Sequence, residues 1–97
     1  IRPFTKKQRL RIRRKFAKEK PTILIGKNGA TKEVVVEVTK QLKSSKVVKI
    51  KILKTALEQT TMKEITKELV DNTKSELIEA RGHMLTLYKI MRYANNE

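Results

Sequence analysis

The chain has 97 residues, enough for one hydrophobic core and too few for two. It carries 24 Lys and Arg against 10 Asp and Glu, a net charge of +14 that suits a polyanionic partner, because each neutralised phosphate releases condensed counterions. Cysteine is absent, which excludes disulfides and thiolate metal sites. No apolar run approaches the roughly 20 residues that span a bilayer, and no signal-peptide core is visible, so a cytoplasmic location is expected.

The charge is unevenly placed. Residues 1–20 hold ten basic and one acidic residue, residues 21–54 eight and two, and residues 55–97 six and seven. The first half is therefore expected to form the polyanion surface and the second half the scaffold.

In chain order, Thr5-Lys6-Lys7-Gln8 has the T-x-x-Q form of a capping box and opens a helix that must end before Pro21. Ile12 and Phe16, with Leu10 and Ala17 close by, give it only a narrow apolar stripe among arginines and lysines. A basic helix on an anionic membrane would want a bulkier apolar face. Thr22–Ile25 reads as a short buried strand. The Gly26–Gly29 loop follows, then a helix capped by Thr31 with Val34, Val35, Val38 and Leu42 at helical spacing. Ser44-Ser45 is expected to break it. Val48, Ile50 and Ile52 alternate with Lys49 and Lys51 in a half-buried strand. Residues 54–60 read as a loop, and Thr61–Glu64 as a second capping box. Met62, Ile65, Leu69 and Val70 mark a third helix ending near Asn72-Thr73. Strands are expected over Leu77–Ala80 and Met84–Ile90, with Gly82 interrupting the first or starting a turn, before the polar tail Asn95-Asn96-Glu97.

The order α-β-α-β-α-β-β predicts an α/β (α+β) single domain over residues 1–97, with its core at about 4–90. One mixed sheet of four strands would carry the helices, since crossovers through helices make parallel neighbours.

Little in the sequence offers catalysis. There is one histidine, and neither a G-x-S-x-G nor a P-loop pattern. No catalytic residue, metal site, cofactor or small-molecule substrate is expected. Glu58, Glu64, Glu68, Asp71, Glu76 and Glu79 are expected mostly at solvent-facing positions. His83 reads as a turn or strand residue, with a contact to an RNA base as the functional alternative. The Gly26-Lys27-Asn28-Gly29 loop has two readings. It is either a plain β-turn, or a clamp in which the glycines allow close approach and positive φ while free amides at a helix start meet a phosphate.

Thr5-Lys6-Lys7-Gln8-Arg9, Pro21, the strand into Ile25-Gly26-Lys27-Asn28-Gly29, Thr31, and the late Gly82 with Leu87-Tyr88-Lys89 together resemble the CRM domain. That family (chloroplast RNA splicing and ribosome maturation) has single-domain prokaryotic members called YhbY-like proteins, and the resemblance runs from about residue 4 to residue 90. It implies a fold similar to the C-terminal domain of translation initiation factor three. It also implies RNA binding, with prokaryotic members associated with large-subunit ribosomal precursors and plant members with intron splicing. The family's G-x-x-G loop falls on Gly26, Lys27, Asn28 and Gly29, its basic first helix on Lys6 to Lys18, and its late glycine segment on Arg81, Gly82 and His83. The sequence departs from the family where Lys89, not arginine, follows Tyr88, and where the first helix ends Lys15-Phe16-Ala17-Lys18-Glu19.

The expectation is a monomeric, non-catalytic module binding ribosomal RNA or a large-subunit precursor. Gly26, Lys27, Asn28 and Gly29 would grip the backbone. Lys6, Lys7, Arg9, Arg11, Arg13, Arg14, Lys15 and Lys32 would supply positive charge, with Arg81 and His83 adding contacts and Lys49 and Lys51 as outliers. The alternatives are a DNA-coating, chromatin-like protein and an interaction module for an acidic protein.

Overall fold

The computed structural model describes residues 4–90, so the polar tail at 95–97 lies outside the described residues. Helix α1 spans Lys6–Lys15, strand β1 Ile23–Ile25, helix α2 Lys32–Ser45 and strand β2 Val47–Ile52. A single 3-10 turn at Ala56–Glu58 leads to helix α3 at Met62–Thr73, then strands β3 at Ser75–Arg81 and β4 at Met84–Lys89. The sheet order is β1-β2-β4-β3, with β1 and β2 parallel and the other pairs antiparallel. The expected element order and four-stranded mixed sheet are both present.

Local chemistry explains most boundaries. At α1 the capping box is complete: the Gln8 amide donates to the Thr5 hydroxyl at 3.1 Å, and the Gln8 side chain accepts from the Thr5 amide at 2.8 Å. At α3 it is half formed. The Glu64 amide reaches Thr61 Oγ1, but the Glu64 carboxylate accepts from the Thr60 and Thr61 hydroxyls instead of the capping amide. Ser44 and Ser45 do not break α2; the helix runs through both and stops at Lys46, whose φ of 69° is left-handed. Helix α3 stops in the same way at Lys74, with φ 51°. The 54–60 segment is more than a loop, because its 3-10 turn buries Ala56.

One face of the sheet holds the core. Ile23, Ile25, Val48, Ile50, Ile52, Leu85 and Leu87 pack against Val38 and Leu42 of α2 and Ile65 and Leu69 of α3. The alternation in β2 sends Lys49 to the opposite face, where α1 lies. There Phe16 and Phe4 both pack on Tyr88, with ring centroids 6.4 Å and 5.5 Å away. No residue of α1 is fully buried, so its apolar stripe contributes little.

Ion pairing supplements that stripe. The ladder between β3 and β4 shifts register between Leu77 and Glu79, so that Glu76 lies opposite Tyr88 and Glu79 opposite Thr86. Residues three apart in a regular strand point to opposite faces; the bulge at Ile78 turns both carboxylates toward α1. Arg9 and Arg13, one helical turn apart, meet them at 2.6 Å and 3.9 Å. The Phe4 amide donates to Glu76 at 3.0 Å, and Arg9 also donates to the Leu77 carbonyl. The expectation that Glu76 and Glu79 face solvent is corrected: both are half-buried; Glu76 ties α1 to the sheet, and Glu79 makes a longer, looser pair with Arg13.

Replacing Glu76 with Ala strands the Phe4 amide and the Arg9 guanidinium together, which predicts a loss of about 1–3 kcal/mol in urea unfolding. The exposed Glu68→Ala on α3 should change stability by less than about 0.5 kcal/mol. Equal effects of the two substitutions would show that the Glu76 contacts do not hold α1.

Candidate nucleic-acid interface

The Gly26–Gly29 segment leaves the core at Ile25 and turns sharply. The Gly29 amide donates to the Gly26 carbonyl at 2.9 Å, which closes a β-turn with Lys27 and Asn28 exposed at its tip. Gly29 has φ +68°, the left-handed conformation expected of the second glycine. Its amide is taken by the turn, so the free N–H groups of the loop belong to its neighbours. The amides of Lys27, Asn28, Ala30, Lys32 and Glu33 donate to no other described residue. Thr31 Oγ1 takes the Val34 amide at 3.2 Å and so caps α2. A row of unpaired N–H groups thus leads into the positive end of a 14-residue helix.

Gly26 is different. A Cβ there would meet Thr55 Oγ1 at 3.6 Å and Leu53 Cδ1 at 3.7 Å, ordinary contacts. Among the described residues nothing requires a glycine at this position.

A second turn lies at the same end of the sheet. Gly82 and His83 join β3 to β4 as a two-residue hairpin with Gly82 at φ +59°, the position that a type II′ turn reserves for glycine. The Ile52 amide donates to the His83 carbonyl at 2.7 Å, and the next amide, Leu53, to Ile25 at 2.8 Å. Through the end of β2 the fold therefore brings Gly26, Lys27, Asn28, Gly29 and Lys32 to the same end as Arg81 and His83. Lys27, Asn28, Lys32, Arg81 and His83 are all exposed there.

The basic helix divides into two sets. Arg9 and Arg13 are partly neutralised by Glu76 and Glu79 and act in docking. Arg11, Arg14 and Lys15 are exposed, with Lys15 Nζ 5.6 Å above the Phe16 ring. Lys6 and Lys7 are exposed in the first turn, beside Phe4 at the Glu76 end, and are not brought to the glycine loop. Lys49 serves the fold internally, since its ammonium donates to the Phe16 and Ala17 carbonyls at 3.0 Å and 3.4 Å and caps the negative end of α1. Lys51 remains exposed.

Between the end of α1 and the sheet lies a cavity of about 300 Å³. The helix contributes Arg13, Arg14 and Ala17, and the segment after it Glu19. The sheet contributes Lys49, Met84 and Thr86 as floor, with Glu79 and Arg81 at one side. Sequence reading passes over this cavity, because Thr86 looks like an ordinary strand residue and the bulge that aims Glu79 has no glycine or proline to signal it. Among the described residues there is no group of three or more His, Asp or Glu placed to hold a metal ion, and no helix long and apolar enough to cross a membrane.

The family model of the CRS1 / YhbY (CRM) domain matches residues 4–89. The chain is 33% identical over 88 residues to a Methanocaldococcus jannaschii protein named a probable RNA-binding protein, covering 91% of this chain and 65% of that one. It therefore spans just under two thirds of that relative's length. It is 29% identical over 69 residues to a Haemophilus influenzae protein named an RNA-binding protein, covering 71% of this chain and 68% of the relative. The solution structure of a Staphylococcus aureus protein, SAV1595, superposes with a TM-score of 0.71 at 22% identity, over 97% of this chain and 94% of that one, a likeness of fold. A match across both turns, the basic helix and the whole sheet places this chain in the CRS1 / YhbY (CRM) domain family.

Proposed function

We propose that this chain is a non-catalytic RNA-binding module. The observation that carries the reading is the β1–α2 turn, where unpaired amides and the exposed Lys27 and Asn28 stand at the start of a helix, at the sheet end that also presents Arg81 and His83. Backbone amides and a helix dipole suit phosphate oxygens, while Lys27 and Lys32 add charge. Arg11, Arg14 and Lys15 of α1 supply the longer-range attraction. Both curated relatives carry RNA-binding names, which supports the same partner here. Aromatic residues make up 4% of the chain, so recognition rests on backbone and shape more than on stacking.

The finer reading is a monomer acting in the cytoplasm on ribosomal RNA or a large-subunit precursor, supported by the family's association with such precursors. The rival is coating of duplex DNA, which +14 alone would permit. Duplex coating has no use for the glycine turn, and this separates the two.

Gly29→Asp is a clean probe of the turn. A Cβ at Gly29 meets nothing within 4 Å, and aspartate adopts the left-handed region more readily than most residues. The fold should therefore survive with a cost of about 1–2 kcal/mol, while a carboxylate now stands beside the phosphate position. Affinity for a structured RNA is expected to fall roughly tenfold or more, because the new carboxylate repels the phosphate and weakens the charge-assisted contacts of its neighbours. Affinity for duplex DNA should hardly move. Equal losses on both nucleic acids, or no loss on RNA, would contradict the clamp. In a salt titration on single-stranded RNA, the slope should be about −0.7 per phosphate neutralised.

A further inference from the structure

Thr86 is the unexplained residue of the described fold. It lies at the floor of the cavity beneath the end of α1, is 4% exposed, and its hydroxyl bonds to no other described residue. The other two buried polar side chains, Thr73 and Ser75, bond to each other at 2.7 Å. A buried hydroxyl without a partner costs free energy unless something fills the space beside it. The cavity measures about 300 Å³, at the small end of ligand sites of roughly 300–1,000 Å³, and so has room for one compact planar group.

The walls define the chemistry of that group. Met84 and Ala17 offer apolar surface, while Thr86 can donate and accept. Glu79 adds a carboxylate held only loosely, with Arg13 at 3.9 Å. That carboxylate opposes a phosphate inside the cavity and accepts from a neutral ring bearing N–H groups. Arg14 and Arg81 are exposed on its rim, where a phosphate would be welcome. Arg81 also flanks the Gly82-His83 turn, which joins the cavity to the surface already assigned to the RNA backbone. We infer that the cavity receives one unpaired nucleotide of the bound RNA, its base edge against Thr86 and Glu79 and its phosphate at Arg14 and Arg81. The inference rests on the RNA-binding reading and adds to it a position at which the chain distinguishes a looped-out base from a paired one.

The test compares two RNA hairpins, one with a single bulged adenosine and one with an abasic site at the same position, bound to the full chain and followed by fluorescence anisotropy. The full chain should bind the adenosine hairpin roughly three- to tenfold more tightly, the value of about one hydrogen bond to the base edge. Thr86→Val keeps the shape and removes the hydroxyl, and should weaken binding of the adenosine hairpin roughly three- to tenfold while leaving the abasic hairpin unchanged. Ala17→Phe, at an exposed position that leaves the core alone, should block the cavity and abolish the preference. Equal binding of the two hairpins by the unsubstituted chain, or equal losses on both in the variants, would overturn the inference while the RNA-binding reading stands. Failure to bind either hairpin would overturn both.

Discussion

The bulge at Ile78 is the constraint on which the outer half of this domain depends. A regular β3 would point Glu76 and Glu79 to opposite faces, and α1 would keep at most one carboxylate anchor. With the extra residue, two carboxylates meet two arginines one helical turn apart, and a helix with no buried side chain lies along the sheet. Lys49 completes the arrangement from beneath by holding the carbonyls of Phe16 and Ala17 just past the end of α1. The consequence for charge is specific. Arg9, Arg13 and Lys49 are occupied within the fold, and Arg11, Arg14 and Lys15 are left exposed.

Topology does the rest of the positioning. Because β1 and β2 are parallel while β2 and β4 are antiparallel, the exit of β1, the exit of β2 and the entry of β4 share one end of the sheet. The glycine turn, the start of α2 and the Gly82-His83 hairpin therefore converge without any long loop. A rigid core behind them, with Ile25, Ile50, Ile52, Leu85 and Leu87 fully buried, fixes the spacing between these short turns. These short turns are the parts of the chain that the core holds only at its edges.

Much of this was legible from the sequence, for physical reasons. Capping at Thr5, Thr31 and Thr61, helical spacing in α2 and α3, and alternation in β2 each follow from local rules that tertiary packing did not override. Gly29 announced its left-handed conformation, and Gly82 marked the break between the last two strands. The helix ends at Lys46 and Lys74 did not, because a left-handed lysine carries no composition signal. Ser44-Ser45 suggested a stop that the helix ignored. Glu76 and Glu79 looked like surface residues because nothing local marks a bulge without glycine or proline, and the fate of Lys49 depended on a contact 33 positions away in the chain. The candidate residues could be named from sequence, but the division of the cations into those engaged within the fold and those left exposed was a property of the fold.

The central claim is that one end of the sheet, together with the exposed row of α1, forms the RNA surface. Amide chemical shifts followed by NMR while a structured RNA is titrated into the full chain test it most directly. The largest changes are expected at residues 26–33 and 81–86, with a second group at residues 11–17 and little change along α3. Changes centred on α3, or a glycine turn that stays silent while the rest of the chain responds, would contradict it.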